Sequence, residues 1–241
     1  MTITDIQNKL YERLQGSGWG GKLKMFLLSK DFENILHTLY NDSQEGKRFT
    51  PVIKDLFRAF EECSYDKLKV VVIGQDPYPQ AGVADGISFS CSHTQKEQPS
   101  LRHIFNEIER TVYGPKFPPE DDDLERDQYN PDLTRWANQG VLMLNTAMTC
   151  EVGNIGSHID LWKPFTTYLL DYLASYNTGL LYVFLGKKSQ VWHKMIPTNN
   201  YKFFATHPAA AAYNGGKWNS GDLFNQINKV LEKQYGEKII W

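Results

Sequence analysis

The chain is poor in cysteine: Cys63, Cys91 and Cys150 are the only three in 241 residues, far apart and without metal-ligand spacing. A disulfide-stapled scaffold and a zinc module are thereby excluded, and reduced thiols in an intracellular, cytoplasmic protein are expected. No run of about 18 apolar residues occurs, so no membrane span is expected. The opening MTITDIQNK lacks the apolar core of a signal peptide. Repeats, low-complexity tracts and a second domain are also missing. Gly16, Gly18, Gly20 and Gly21 follow a helix rather than a strand, so they do not form a dinucleotide fingerprint.

Net charge is nearly absent too, at −2, but its distribution is uneven. Glu120, Asp121, Asp122, Asp123, Glu125 and Asp127 crowd one loop against Arg126 alone. That loop carries −5, so with −2 overall the rest of the chain carries +3. From 172 to 221 there is no acidic residue, yet there are Lys187, Lys188, Lys194, Lys202 and Lys217. Such asymmetry suits one face meeting a polyanion, although solvated lysines alone would give the same count. The acidic loop reads as a solvated insertion and no metal is expected there.

What is present is an α/β pattern, 41% hydrophobic and long enough for one sizeable core. Residues 4–7 have the shape of a capping box, followed by Ile6, Leu10 and Leu14 at helical spacing. A second helix is expected over 31–40, burying Phe32, Ile35, Leu36 and Leu39. Thr50-Pro51 reads as the start of a third, with Val52, Ile53, Leu56, Phe57 and Phe60 inward. The β-branched run at 68–73 reads as a strand buried on both faces, cut off by Gly74 and Pro77. A loop and short strand over 82–92 carry Phe89. Ser100 is expected to cap a helix burying Leu101, Ile104, Phe105 and Ile108. After the acidic stretch comes a short helix over 132–138, closed by Gly140.

Further strands are expected at 140–145, 180–185 and 201–206, with helices over 161–176, near 189–195 and from 223 onward. Strands alternating with helices imply a single domain with a central four-stranded, parallel, twisted sheet and helices on both faces. N-terminal helices over 1–49 precede the motif-bearing core at 50–241.

Parallel strands bring their C-terminal ends to one edge. Gln75-Asp76, Asn145, Gly186-Lys187 and His207-Pro208 therefore converge, and that edge is where such sheets bind ligands. Each group also has an ordinary structural use. Asp-Pro is a common turn, His-Pro can close one, and Tyr78 and Phe89 could be core.

The set Gly74-Gln75-Asp76-Pro77-Tyr78, Gly86-x-x-Phe89-Ser90, Pro99-Ser100-Leu101, Leu142-x-Leu144-Asn145, Gly156-Ser157-His158 and His207-Pro208 resembles the family 1 uracil-DNA glycosylases in order and spacing, from about residue 50 onward. The resemblance implies hydrolysis of the N-glycosidic bond of deoxyuridine in DNA, as the first step of base excision repair. The base would first be flipped out of the stack. Asp76 would stabilise the cationic sugar and position water. His207 would donate a hydrogen bond to uracil O2. Asn145 would match uracil O4 and N3–H, Phe89 would stack on the base, and Tyr78 would exclude the thymine methyl. Gln75 would hold a uracil carbonyl. Phosphate and DNA contacts would come from Pro99, Ser100, Ser157, His158, Gly186, Lys187, Pro208, Ala211 and Tyr213. No cofactor and no metal are implied.

Three positions depart from the family pattern. Pro79 replaces a histidine, Lys187 replaces a serine, and Ala211 stands where the family presents a wedging leucine, with Tyr213 as a substitute. The partners implied are single- or double-stranded DNA containing uracil and a DNA-mimic inhibitor protein, the chain itself acting as a monomer. A rival reading is a catalytically weak or inactive DNA-binding, replication-accessory protein on the same scaffold. Retention of Asp76, Asn145 and His207 argues for the enzyme.

Overall fold

Four parallel strands form the centre of the computed structural model, which describes residues 2–114 and 130–241. They are β1 (Val70–Gly74), β2 (Val141–Asn145), β3 (Leu181–Leu185) and β4 (Tyr201–Ala205), in the spatial order β2-β1-β3-β4. Every residue of β1 and β3 is buried, as β-branched and aromatic runs in mid-sheet should be. In β2, Leu142, Met143 and Leu144 would suit a helix equally well. The strand is set by its start: Gly140 has φ 95°, and a Cβ there would lie 2.0 Å from the Lys67 carbonyl. The register pairs Gly74 with Asn145 and Leu185 with Ala205, so all four strands end together.

Helices cover both faces. An N-terminal group, α1 (Ile3–Arg13), α2 (Gly20–Leu27) and α3 (Lys30–Gln44), packs with the long α7 (Ile159–Tyr176). Its centre is aromatic. Phe165 meets Phe26, Phe57, Phe60 and Trp162 with ring centroids 5.2–5.9 Å apart. A second cluster joins Phe105, Trp136, Trp241 and Phe224. It involves α5 (Pro99–Ile108), α6 (Thr134–Ala137) and α9 (Leu223–Tyr235). Two short helices, α4 (Arg58–Glu62) and α8 (Lys187–Gln190), complete the layers. No helix among the described residues is long and apolar enough to cross a membrane.

Several local expectations are corrected. The capping box uses Thr2 and Asp5, not Thr4 and Gln7. Gly20 and Gly21 open α2 rather than ending order, because Leu23, Phe26 and Leu27 are buried against neighbouring helices. Thr50 does not cap a helix: it pairs with Cys150 in a two-residue antiparallel ribbon. The following chain resolves into a 3₁₀ turn and α4, with Val52 left exposed. Ser100 is the second residue of α5, whose N-cap is Gln98. Residues 82–92 contain no strand. Asp85, fully buried, pairs with Arg58 at 2.8 Å and accepts from Ile87 N–H, Ser90 Oγ and Ser92 N–H, which folds the segment around one carboxylate. The acidic cluster at 120–127 lies outside the described residues.

Candidate active site

β1 delivers Asp76 to the sheet edge, with the backbone just before it tied to the loop after β2. The Gln75 carbonyl accepts from Ala147 N–H and the Thr146 hydroxyl. The Asp76 carboxylate accepts from Gly156 N–H at 3.2 Å on Oδ1 and from the Gln75 side-chain amide at 2.5 Å on Oδ2. Burial pushes its pKa above the usual carboxylate range, against the opposing pull of those two hydrogen bonds and of His158 and Lys188. The carboxylate is thus short of solvation and suited to polarising water or meeting a positive charge.

His207 follows β4. Its Nδ1 accepts the Ala209 N–H at 3.1 Å, and burial lowers its pKa, so the ring is neutral near pH 7. With Nδ1 accepting, the ring proton sits on Nε2, which becomes a donor. The ring fits because residue 186 is glycine: at φ 92°, a Cβ there would come within 2.9 Å of His207 Cβ.

Phe89 adopts φ 67°, a left-handed conformation that is strained for a side chain of this size. The Tyr78 hydroxyl donates to the Phe89 carbonyl at 2.9 Å and holds it there. Burial raises the Tyr78 pKa far above its ordinary value, so it stays a neutral phenol. The Phe89 and His207 rings lie 5.7 Å apart. Asn145 closes the floor, its Oδ1 accepting from the Ser88 hydroxyl at 2.8 Å.

These groups share one cavity of about 290 Å³, lined by Gln75, Asp76, Tyr78, Phe89, Asn145 and His207. Ligand pockets run roughly 300–1,000 Å³, so this one suits a single small ring. Ser100 also reaches it. The wall includes Ser88, Ile155 and Ala209 as well, which motif reasoning passed over because none carries a distinctive residue pattern.

The sequence profile described as the Uracil DNA glycosylase superfamily matches residues 60–232. The chain belongs to the uracil DNA glycosylase superfamily. A uracil-DNA glycosylase of Acinetobacter baumannii strain AYE is 31% identical over 244 residues, covering 100% of this chain and 98% of its own length. One from Neisseria meningitidis serogroup A is 33% identical over 213 residues, covering 87% of this chain and 92% of its own. In fold, the chain resembles the crystal structure of mimivirus uracil-DNA glycosylase, with TM-score 0.80 and 24% identity, covering 92% and 85% of the two chains. A variant of the mimivirus protein in complex with UGI matches with TM-score 0.78, 25% identity and coverage of 92% and 86%.

Around the glycosylase cavity, the residues expected to touch DNA divide sharply. Pro99, Ser157 and Lys187 are exposed, and Tyr213 stands 91% exposed. The Ser157 hydroxyl already accepts Glu151 N–H at 2.8 Å. The His158 imidazole is buried and bonded through Nδ1 to the Thr149 hydroxyl at 2.8 Å, so a phosphate contact there falls to the backbone. Ala211 is 0% exposed, its methyl group facing the interior. The 3₁₀ turn Pro208–Tyr213 repeats every three residues, so Pro208 and Ala211 face inward together while Tyr213 points out. Gly186 is buried, and its observed use is to make room for His207.

Proposed function

We propose that the chain is a uracil-DNA glycosylase: it hydrolyses the N-glycosidic bond of deoxyuridine in DNA, releasing uracil and leaving an abasic site. The carrying observation is that a half-buried carboxylate and a neutral histidine donor face one cavity of single-ring size.

The everted uracil stacks on Phe89 and presents O4 and N3–H to Asn145. Tyr78 fills the space beside C5, so a thymine methyl clashes. As the C1′–N1 bond breaks, its electron pair leaves with uracil. The His207 Nε2–H stabilises the charge growing on O2 without transferring its proton. Asp76 stabilises the cationic sugar and holds the water whose oxygen bonds C1′. It takes that water's proton, and the uracil anion is later protonated from solvent. Gln75 keeps the carboxylate oriented and offers its backbone to the base. Ser100, Ser157 and Lys187 position the phosphates.

Tyr213 takes the wedging role that Ala211 cannot, entering the gap left by the flipped nucleotide. The enzyme works as a monomer in the cytoplasm, on single- and double-stranded DNA. A small acidic DNA-mimic inhibitor is a further partner, a reading supported by the mimivirus relative seen in complex with UGI.

The test is a uracil-containing oligonucleotide incubated with the protein and treated with alkali. Strand cleavage by the native chain, lost in Asp76→Asn, is the expected outcome. An unchanged rate in the variant removes Asp76 from the mechanism.

A further inference from the structure

Asn145 can read a pyrimidine in two ways. With its NH₂ facing position 4 and its oxygen facing position 3, it matches uracil. Turned over by 180°, the same side chain matches cytosine, whose N4–H₂ donates and whose N3 accepts. Discrimination between the two bases therefore depends on what keeps the amide from turning.

Gly74 and Asn145 sit opposite each other at the ends of β1 and β2. Gly74 has no positive φ, so it is not there for backbone freedom. A Cβ at Gly74 would stand 2.6 Å from Asn145 Oδ1 and 2.8 Å from Ser88 Oγ. The missing side chain is the space in which those two polar atoms meet. Ser88 is 2% exposed, and its backbone N–H is tied to the Met143 carbonyl at 3.1 Å. Among the described residues its hydroxyl has one acceptor, Asn145 Oδ1 at 2.8 Å.

We infer that Ser88 is the positioning residue that fixes the Asn145 amide in its uracil-reading orientation. In the observed arrangement the serine proton is used and one lone pair of Oδ1 remains for N3–H. If the amide turns over, its NH₂ meets the hydroxyl oxygen, and the buried serine proton loses its acceptor. An unpaired buried donor is penalised more heavily than a spare lone pair. Serine in this place therefore biases the amide without touching the base. The inference rests on the glycosylase reading and names what sets the base specificity of that same site.

The experiment measures inhibition constants of free uracil and free cytosine against excision of uracil from single-stranded DNA, for the native chain, Ser88→Ala and Ser88→Cys. Failure of the native chain to excise uracil would overturn the underlying reading and this inference with it. With native activity established, Ser88→Ala should weaken uracil binding about tenfold and leave cytosine binding unchanged or tighter. Ser88→Cys, with a weaker donor of similar shape, should fall between. A parallel loss for both bases, as general loosening of the pocket would give, overturns the inference. So does an unaltered uracil-to-cytosine ratio in Ser88→Ala. A thermal melt of each variant restricts the comparison to folded protein.

Discussion

The aromatic layer around Phe165 and the polar rim around Asp76 follow opposite rules. In the first, rings meet edge-on or tilted, fully buried, in a close-packed interior. In the second, a carboxylate is held under-solvated, a phenylalanine is held at φ 67°, and a histidine keeps a donor in reserve. The layer supplies stability and has no free chemistry. The rim has chemistry because part of that stability is given up there.

The sharpest way to separate the two regions is to break each once. Asp76→Asn should lower uracil excision by about 10²–10⁴-fold without lowering the melting temperature. The sign follows from its raised pKa. The folded carboxyl holds its proton more tightly than the unfolded one, so its ionised form opposes folding at neutral pH, and that opposition fades as pH falls through the folded value. Removing the charge should raise the melting temperature. Phe165→Ala should do the reverse, losing about 3–5 kcal/mol in urea unfolding while the folded fraction keeps its turnover. A melting temperature lowered by Asp76→Asn would erase the contrast.

Gly186→Ala joins the two regions in one substitution. A Cβ at φ 92° is strained and presses on His207. Stability should fall by about 1–3 kcal/mol, and excision should fall in the folded fraction as well. Full activity in folded Gly186→Ala would show that His207 does not need its observed place.

The 3₁₀ turn after His207 offers a finer division. Ala211→Leu should only overpack the interior, costing about 1–3 kcal/mol, with the preference between double and single strands unchanged. Tyr213→Ala should lower excision from duplex roughly tenfold relative to single strands, through lost stacking at the gap. Exchange of those two outcomes would return the wedge to position 211.

The smallest effect is the pH profile. Burial raises the Asp76 pKa and lowers that of His207, and both groups lose their working form on acidification. In the pH profile of kcat/KM, an acid limb set by Asp76 should therefore lie above the ordinary carboxylate value, and one set by His207 below the ordinary imidazole value. Tyr78 contributes no alkaline limb near pH 10, because burial lifts its ionisation well above that.

Much of this is legible in the sequence alone. The β-branched run at Val70–Ile73 and the apolar run at Leu181–Leu185 could be little else than buried strands. Parallel topology alone brings Asp76, Asn145 and His207 to one rim. What stayed hidden depends on contacts distant in sequence. The fold of residues 85–92 is set by Arg58, far upstream of the carboxylate it meets. α2 is concealed by its own glycines, which are helical because Leu23 and Leu27 are buried. Counting four residues on from His207 finds Ala211, but only the three-residue repeat of the turn reveals that it faces inward. Ser88 carries no motif, and its partner is the last residue of β2, far along the chain.

The pairing of Gly74 with Asn145 has one more consequence. Gly74 and Asn145 form the last rung of the β1–β2 ladder, and Asp76 follows two residues after Gly74, so the carboxylate and the amide are carried by neighbouring strands about 4.8 Å apart rather than by separate loops. A residue inserted in either strand would slip the rungs and carry the carboxylate away from the amide. In the proposed mechanism, bond cleavage and base choice are therefore mounted on one rigid ruler, and neither can be retuned by evolution through backbone change without disturbing the other.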